Sequence, residues 1–377
     1  MRPRPDRIER LPEQYFARLL GRVAAAAAKE GDEVIDLGRG NPDIGPPQHV
    51  IDVLSRAAND PSAHGYPPFR GIPELKEAVA ARYRDVYGVE LDPEREVAVV
   101  PGTKTAIVEV ALALAERGDT ILLPDPGYPD YTSGVAFAGA QEGRVLLDPD
   151  AAFAPDLAGA PRDGVAALYL NYPSNPCGAS APPGLFAETV GWAEQTGAAV
   201  LHDFAYADLM FDGLEPLSFL TEPGAKEVGA ELFSMSKSYG MAGWRLGFVV
   251  GNAELVERVN LLQDHVRAGV FRPIQEAGVA ALMGPQESVE ERRAIYERRR
   301  DQVVAAIPGS RSDSTFYVWW RLPDGLTPKR ILAETRVAVA PGEGFGPSGA
   351  GWARISLATP DDRLTAGLER LSRLLAP

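Results

Sequence analysis

Short apolar segments alternate with amphipathic helical patterns through the middle of the chain, and this alternation restricts the fold more than any other feature. Such segments predict buried strands, and the helices between them are long enough to connect parallel neighbours. The pattern therefore predicts an α/β domain with a largely parallel sheet between helices. The predicted strands are Val97–Val100, Thr120–Leu123, Val165–Asn171, Ala198–Asp203, Glu231–Ser234 and Leu246–Val250, and the helices include Ala106–Arg117 and Leu185–Thr196.

The pattern changes after Asn252, where long charged helices and a second group of strands predict a smaller α+β domain. Its predicted elements are a helix over Val289–Ile307 and strands Phe316–Arg321, Arg336–Ala340 and Trp352–Leu357. A helix is also predicted from about Tyr15 to Lys29. We therefore expect an N-terminal helical arm (residues 1–40) that packs on the small domain, a large α/β domain (41–255), and a linking helix with the small domain (256–377).

Composition narrows the class of function. The 377 residues include 52 acidic side chains against 38 Lys and Arg, a formal charge of −14, which disfavours nucleic acid and anionic membranes as partners. The longest apolar segments are too short to predict a membrane span. Cys177 is the only cysteine, so neither an intrachain disulfide nor a multi-cysteine metal site is expected. We expect a metal-free cytoplasmic protein that acts on small molecules.

Lys237 lies in a Gly- and Ser-rich turn directly after the predicted strand Glu231–Ser234. Desolvation lowers the pKa of a lysine, and the neutral amine is a nucleophile that forms Schiff bases with aldehydes. Ser234, Ser236 and Arg245 flank it with donors that suit a phosphate group. Considered alone, however, a lysine in a loop is more often a surface residue.

Three other turns follow predicted strands. Gly102 and Thr103 stand between a strand and a helix, where backbone N–H groups can bind phosphate, although such residues are also common helix caps. Asp203 ends a strand, where α/β sheets place ligand contacts, and it is equally well placed as an N-cap. Asn175 precedes Pro176, and by itself this segment indicates only a turn.

Together these motifs resemble those of the class I/II aminotransferases, which are fold-type I pyridoxal-phosphate enzymes. The resemblance covers nearly the whole chain and includes the spacing of 34 residues from Asp203 to Lys237. It implies a mostly parallel, seven-stranded-type sheet between helices, followed by a smaller α+β domain. The motifs are Gly38-Arg-Gly-Asn-Pro-Asp43, Tyr66-Pro-Pro-Phe-Arg-Gly-Ile-Pro-Glu-Leu75, Gly102-Thr-Lys104, Pro126-Gly-Tyr-Pro129, Asn175-Pro-Cys-Gly178, Asp203-Phe-Ala-Tyr206, Ser236-Lys-Ser238, Arg245 and Arg354-Ile-Ser356.

The resemblance implies catalytic roles for three residues, Lys237, Asp203 and Tyr206. Lys237 would hold pyridoxal 5′-phosphate as an aldimine and would then move the proton between substrate and cofactor. Asp203 would keep the pyridine nitrogen protonated, so that the ring accepts electrons. Tyr206 and Asn175 would hydrogen-bond the phenolate oxygen, and Tyr128 would stack on the ring.

The remaining implied roles concern phosphate, substrate and assembly. Arg354 would bind the substrate α-carboxylate with help from the Gly40 backbone and Asn175. Tyr66 of the partner subunit would reach the phosphate, which implies a homodimer with sites at the interface. The other residues expected at the phosphate end of the cofactor are Gly102, Thr103, Lys104, Ser234, Ser236 and Arg245.

Within the family, the pattern looks closest to LL-diaminopimelate aminotransferase-like sequences, but it departs from them. Phe69 stands where members of that subfamily place a glutamate to receive the distal ammonium. His265 and Arg267 replace Asn and Asp before Gly269-Val-Phe, and Cys177 replaces the usual Thr. These departures put the diaminopimelate substrate in doubt.

Three arginines, Arg70, Arg267 and Arg272, would repel a distal ammonium if their side chains pointed into the site. We therefore expect a ping-pong aminotransferase for an apolar or acidic L-amino acid and a 2-oxo acid. Two alternatives stay open: a C–S β-lyase of the same fold, and a true LL-diaminopimelate aminotransferase. An effector-sensing regulator is disfavoured, because the residues before Gly38 are too few for a helix-turn-helix domain.

Overall fold

The computed structural model describes residues 3–29 and 33–375. The α-helices of this part are α1 (Asp6–Glu9), α2 (Tyr15–Ala27), α3 (Gln48–Ala58), α4 (Pro73–Arg82), α5 (Thr103–Leu114), α6 (Tyr131–Ala138), α7 (Leu185–Thr196), α8 (Ala225–Val228), α9 (Met235–Ser238), α10 (Ala253–Val266), α11 (Arg272–Met283), α12 (Glu287–Ala306), α13 (Pro328–Thr335) and α14 (Asp361–Leu375). The strands are β1 (Ile35–Asp36), β2 (Val97–Val100), β3 (Thr120–Asp125), β4 (Gln141–Asp148), β5 (Ala154–Pro155), β6 (Val165–Leu170), β7 (Ala199–Asp203), β8 (Gly229–Ser234), β9 (Gly247–Gly251), β10 (Ser310–Arg311), β11 (Tyr317–Arg321), β12 (Val337–Ala338), β13 (Ala340–Pro341) and β14 (Trp352–Ser356).

A central sheet organises the first two thirds of the chain, with the strand order β2-β9-β8-β7-β6-β3-β4-β5. Neighbours from β8 through to β4 run parallel, whereas β9 is antiparallel to both β2 and β8. The two-residue strand β5 adds an antiparallel edge to the expected seven strands. The mostly parallel α/β architecture is therefore confirmed.

Helices cover both faces of this sheet, and strand β2 shows how the side chains divide. Val97 and Val99 belong to a core cluster on one face, and Ala98 and Val100 belong to a cluster on the other. This division follows from the alternation of side chains along a strand. Because each face is buried, the strand is continuously apolar, and each buried valine contributes about 1.5–3 kcal/mol.

Two strand predictions differ from the structure. Strand β4 was not predicted, because its sequence carries exposed polar side chains and its outer neighbour β5 is only two residues long. The predicted strand Arg336–Ala340 is divided in two, since β12 pairs with β1 while β13 pairs with β14 in another sheet. Periodicity cannot show that the chain passes between two sheets within a few residues.

The C-terminal part of the chain contains an antiparallel sheet with the order β10-β11-β14-β13. Helix α2 packs against this region, where Tyr15 and Leu19 join a cluster with Ala340 and Phe345. The Tyr15 hydroxyl donates a 2.8 Å hydrogen bond to the Pro341 carbonyl.

The division into residues 1–40, 41–255 and 256–377 stays a prediction. Within the described residues, no helix combines the length and the apolarity that crossing a membrane requires.

Polar residues collect at one edge of the central sheet, because the carboxyl ends of β2, β3, β6, β7 and β8 meet there. Strand β2 joins this group because it is antiparallel to β9, which is in turn antiparallel to β8. In open α/β sheets this edge is where ligands bind. The strands therefore bring together the turns that were singled out in the sequence.

Candidate active site

A cavity of about 250 Å³ opens at the carboxyl edge of the central sheet. It is walled by the turns after several strands, by α5 and α9, and by helix α2 of the N-terminal arm. The residues expected at the site that line it are Gly40, Thr103, Lys104, Tyr128, Asn175, Asp203, Tyr206 and Lys237.

Lys237 lies in α9, the single helical turn that follows β8. Its Nζ is 5.0 Å from the ring centroid of Phe316 and 5.7 Å from that of Tyr206. No acceptor for this amine is found among the residues that the structure describes. Burial and, to a lesser extent, the positive charges of Arg354 and Arg245 lower the pKa of Lys237 from 10.5 to about 8, and Asp203 opposes this shift. A substantial fraction of the side chain is therefore neutral and nucleophilic near neutral pH.

Asp203 ends β7 and is buried. Its Oδ2 accepts a 2.7 Å hydrogen bond from the Tyr131 hydroxyl, and its Oδ1 accepts one of 3.2 Å from the Ala205 backbone. Burial raises the pKa of Asp203, and the Tyr131 hydrogen bond opposes that rise. The carboxylate is thus held firmly and keeps acceptor capacity toward the cavity.

Arg354 lies in β14 with no exposed surface. Its Nη1 donates to Asn175 Oδ1 at 2.7 Å, its Nη2 donates to the Gly38 carbonyl at 3.1 Å, and the guanidinium stacks 3.8 Å from the Tyr317 ring centroid. Among the described residues its Nε has no partner, and no acidic side chain pairs with it. A buried guanidinium without a counter-ion is suited to bind a carboxylate from outside the protein.

A second site for an anion forms where Gly102 starts helix α5. Gly102 has φ +82°, and a Cβ at this position would lie 2.2 Å from Arg245 Nη2, so the backbone and the guanidinium pack directly together. Ser236 N donates to Ser234 Oγ at 3.2 Å in the neighbouring turn. A helix N-terminus, an arginine and hydroxyl groups form a suitable donor set for a phosphate.

Tyr128 and Lys104 share one partner, Asp130. The Tyr128 hydroxyl donates to Asp130 Oδ2 at 2.7 Å, and Lys104 Nζ lies 2.7 Å from the same oxygen. Burial raises the pKa of Tyr128 well above its usual range. The ammonium of Lys104 therefore already has a counter-ion.

The structure does not bring Tyr66 into this cavity. Its side chain is 87% exposed on the surface of the chain. Tyr206 does face the cavity, and its hydroxyl donates to the Tyr317 hydroxyl at 3.3 Å.

Sequence reasoning missed several residues that shape the site, among them Phe16, Asp130, Tyr131 and Tyr317. Phe16 and Tyr317 line the cavity, and Asp130 and Tyr131 orient residues that do. Asp130 and Tyr131 follow the Tyr128 motif closely, so their proximity to it was the available signal. Phe16 is one of several apolar residues in the amphipathic helix α2, and Tyr317 begins the continuously apolar part of strand β11, so neither stood out from its neighbours.

The three arginines that were expected to repel a distal ammonium are all paired with carboxylates. Arg70 contacts Glu257 at 2.8 Å and Asp264 at 2.7 Å, and Arg267 contacts Glu109. Arg272 Nε lies 2.7 Å from Glu276, one helical turn away. These pairs compensate the positive charge, so the arginines provide no argument for an anionic substrate side chain.

Comparison with known proteins gives consistent matches over the whole chain. The family described as aminotransferase class I and II matches residues 32–371. An L-glutamine–4-(methylsulfanyl)-2-oxobutanoate aminotransferase of Bacillus subtilis is 45% identical, over 97% of this chain and 95% of that protein. An LL-diaminopimelate aminotransferase of Moorella thermoacetica is 40% identical, over 98% of this chain and 97% of that protein. The solved structure of substrate-bound BacF from Bacillus subtilis superposes with a TM-score of 0.94 at 38% identity, covering 100% of this chain and 99% of that one.

Proposed function

The chain belongs to the class I and II aminotransferase family, and from that membership we propose that it transfers the amino group of an L-amino acid with a neutral side chain to a 2-oxo acid. Enzymes of this family depend on pyridoxal 5′-phosphate, so the chain is a pyridoxal-phosphate-dependent aminotransferase. The observation that carries the proposal is a largely buried, unpaired Lys237 in one cavity with the carboxylate of Asp203, next to the unpaired guanidinium of Arg354.

The residues at the carboxyl edge fit this cofactor. Lys237 would hold it covalently, and Asp203 would face its ring nitrogen. Arg245 and the Gly102 turn would hold its phosphate. Glycine at position 102 lets the guanidinium lie against the backbone of the turn, since any side chain there would collide with it. Thr103, Ser234 and Ser236 would add hydroxyl donors. When bound, the cofactor supplies an electron sink for the pair released as the substrate Cα loses its proton.

Lys237 and Asp203 would share the proton chemistry. The neutral amine of Lys237 would take the proton from the substrate Cα and return it to the cofactor carbon on the other side of the amino nitrogen, for which a pKa of about 8 is well suited. Asp203, held by Tyr131, would keep a negative charge near the proton on the ring nitrogen. Tyr206 and Asn175 would hydrogen-bond the ring oxygen, and Tyr128 would cover the ring face.

Arg354 would orient the substrate by its α-carboxylate. Asn175 already fixes one nitrogen of the guanidinium, and the Gly40 backbone lies on the same cavity wall. A Cβ at Gly40 would lie 2.0 Å from the Tyr317 hydroxyl, so only glycine leaves the Tyr317 ring stacked under Arg354. This arrangement would present the substrate Cα to Lys237.

The side chain of the substrate would meet an apolar wall. Phe16, Leu19 and Leu20 of helix α2 line the cavity, and such a wall favours an aliphatic, thioether or aromatic group. The 45% identical relative is named for glutamine and a methylsulfanyl oxo acid, both of which have uncharged side chains. Neutral amino acids are therefore our first choice, ahead of LL-diaminopimelate.

We further propose that the enzyme acts as a homodimer in the cytoplasm. Tyr66 and the nearby Phe69 are 87% and 45% exposed, and Phe271, whose ring centroid lies 6.0 Å from that of His64, is 42% exposed. A patch of this kind is typical of a protein interface. Tyr66 of the partner subunit would then approach the phosphate site at the exposed Arg245. The buried, unpaired Cys177 is consistent with a reducing compartment.

The test is a panel of amino donors and 2-oxo acids offered to the purified enzyme with pyridoxal 5′-phosphate. We expect glutamine, methionine and aromatic amino acids to be turned over with stoichiometric formation of the new amino acid. Continuous release of ammonia and pyruvate from a β-substituted amino acid would instead identify a lyase. Strong and selective turnover of LL-diaminopimelate would contradict the proposed substrate class.

A further inference from the structure

Asp130 lies outside the residues that the resemblance assigned, yet three side chains near the cavity converge on it. It is only 6% exposed. Its Oδ2 accepts a 2.7 Å hydrogen bond from the Tyr128 hydroxyl and forms an ion pair with Lys104 Nζ, also at 2.7 Å. Its Oδ1 accepts a 3.0 Å hydrogen bond from Gln14 Nε2. One carboxylate thus contacts a cavity-wall tyrosine, a cavity-wall lysine and the N-terminal arm.

Lys104 is one of the few cationic groups on the cavity wall. The other cationic residues on that wall are Lys237, which the cofactor would use, and Arg39, which is exposed, as Lys104 itself is at 55% of its side chain. An unpaired ammonium at position 104 would attract a carboxylate at the end of a substrate side chain. In this structure Asp130 forms an ion pair with the ammonium of Lys104. A substrate carboxylate that approached Lys104 would therefore also approach the negative charge of Asp130.

We propose that Asp130 is a specificity residue, which neutralises Lys104 and thereby makes the site prefer uncharged substrate side chains over acidic ones. The inference rests on the proposed aminotransferase function and adds to it the charge of the accepted side chain. Apolar groups would pack on Phe16 and Leu20, which line the same cavity. Glutamate and aspartate meet a wall on which the ammonium of Lys104 is already compensated.

The test compares kcat/KM for glutamate with kcat/KM for glutamine, two substrates of nearly equal shape, in the cofactor-loaded enzyme. Asp130→Asn keeps the size of the side chain but releases the charge of Lys104. We expect the glutamate-to-glutamine ratio to rise by about tenfold or more. Lys104→Met should shift the same ratio in the opposite direction, because it leaves Asp130 without a counter-ion. Two opposite shifts cannot come from a general loss of structure.

Two further variants separate charge from architecture. In Asp130→Asn/Lys104→Met the rise should disappear, since no ammonium remains at that wall. In Gln14→Ala the contact with the arm is lost but the Lys104–Asp130 pair remains, so kcat/KM should change by the same factor for glutamate and for glutamine. A ratio that is unchanged in Asp130→Asn overturns the inference, and so does a rise that persists without Lys104, because Arg39 would then be the recognition group. Failure of the wild-type enzyme to turn over any amino acid would instead contradict the proposed function.

Discussion

Strand β7 carries two buried polar groups at adjacent positions, and their surroundings differ. His202 Nδ1 lies 2.8 Å from Glu231 Oε1, and its Nε2 lies 2.8 Å from the Tyr172 carbonyl. Glu231 also accepts hydrogen bonds of 2.9 Å from Tyr83 and from Ser218. We call this group the closed cluster, since both ring nitrogens and both carboxylate oxygens have partners inside the protein. Its hydrogen-bonding groups are satisfied without a ligand.

Asp203 follows His202 in sequence and points to the opposite side of the sheet, as successive residues of a strand do. It belongs with Lys237 and Arg354 to what we call the open cluster. In the described part of the chain, Lys237 has no acceptor and Arg354 has no acidic partner. Buried polar groups that are fully paired stabilise a fold, whereas those left unpaired at a cavity indicate a ligand site. The following predictions test this distinction, beginning with the largest effect.

Substitution of Lys237 by Met should separate activity from stability. Transamination should fall by at least about 1,000-fold, because the nucleophile and the base are removed together. The thermal midpoint of the apoprotein should be unchanged or higher, because an amine that burial destabilises is replaced by an apolar group of similar length. Enzyme assays and thermal unfolding check the two parts. Retention of normal turnover would contradict the assignment of the site.

Substitution of Glu231 by Ala should do the reverse. It leaves His202, Tyr83 and Ser218 without their acceptor in the interior, so the free energy of unfolding should fall by about 3–5 kcal/mol. The matched control is Glu257→Ala, which removes an exposed partner of Arg70 and should cost less than about 1 kcal/mol. Urea unfolding of both variants gives the comparison. An equal effect would show that the closed cluster is not stabilising.

Replacement of Arg354 by Lys tests whether the open cluster binds a carboxylate. Lysine keeps the charge but loses the planar pair of donors, so kcat/KM for amino acids should fall by about 100-fold. The pKa of Lys237 should change little, since one positive charge replaces another. The measurement is steady-state kinetics with one donor at several concentrations. A reduction confined to kcat would argue against a role in binding.

The pH dependence of cofactor attachment gives the smallest effect. Only the neutral form of Lys237 reacts, and its pKa is lowered from 10.5 to about 8. The rate at which apoprotein acquires the yellow colour of bound pyridoxal 5′-phosphate should therefore rise about tenfold from pH 7 and level off above pH 9. Stopped-flow absorbance measures it. A rate that is still rising steeply at pH 10 would indicate an ordinary, solvated lysine.

The sequence was most informative where function is encoded in short segments. Lys237, Asp203 and Arg245 stand in turns directly after or beside predicted strands, so the order of the strands was enough to anticipate one shared edge. The arrangement of β9 was not predictable, because nothing in an apolar strand indicates its direction. The closed cluster was also missed, since a histidine and a glutamate that are 29 residues apart give no local signal.

The substrate side of the site was the hardest part to predict. Phe16 reaches the cavity only because helix α2 packs on the C-terminal part of the chain, a contact between distant segments. The three arginines were misleading for a related reason. The carboxylate partners of Arg70 and Arg267 are distant in sequence and are determined by packing, whereas the partner of Arg272 lies one helical turn away and could have been anticipated from the i,i+4 spacing. The net charge that a site presents to a substrate depends on which of its charged side chains are paired, and those pairs are known only from the tertiary structure.

The antiparallel strand β9 has a consequence for how the enzyme matures. Its first residue, Gly247, is paired with Val100, the last residue of β2, so Arg245 and Gly102 are brought face to face by the register of two strands. A slip of one residue would separate them. Pairing β9 with β2 therefore also brings together the two groups that we propose to hold the phosphate. We expect this end of the site to form with the central sheet, without a contribution from the C-terminal sheet.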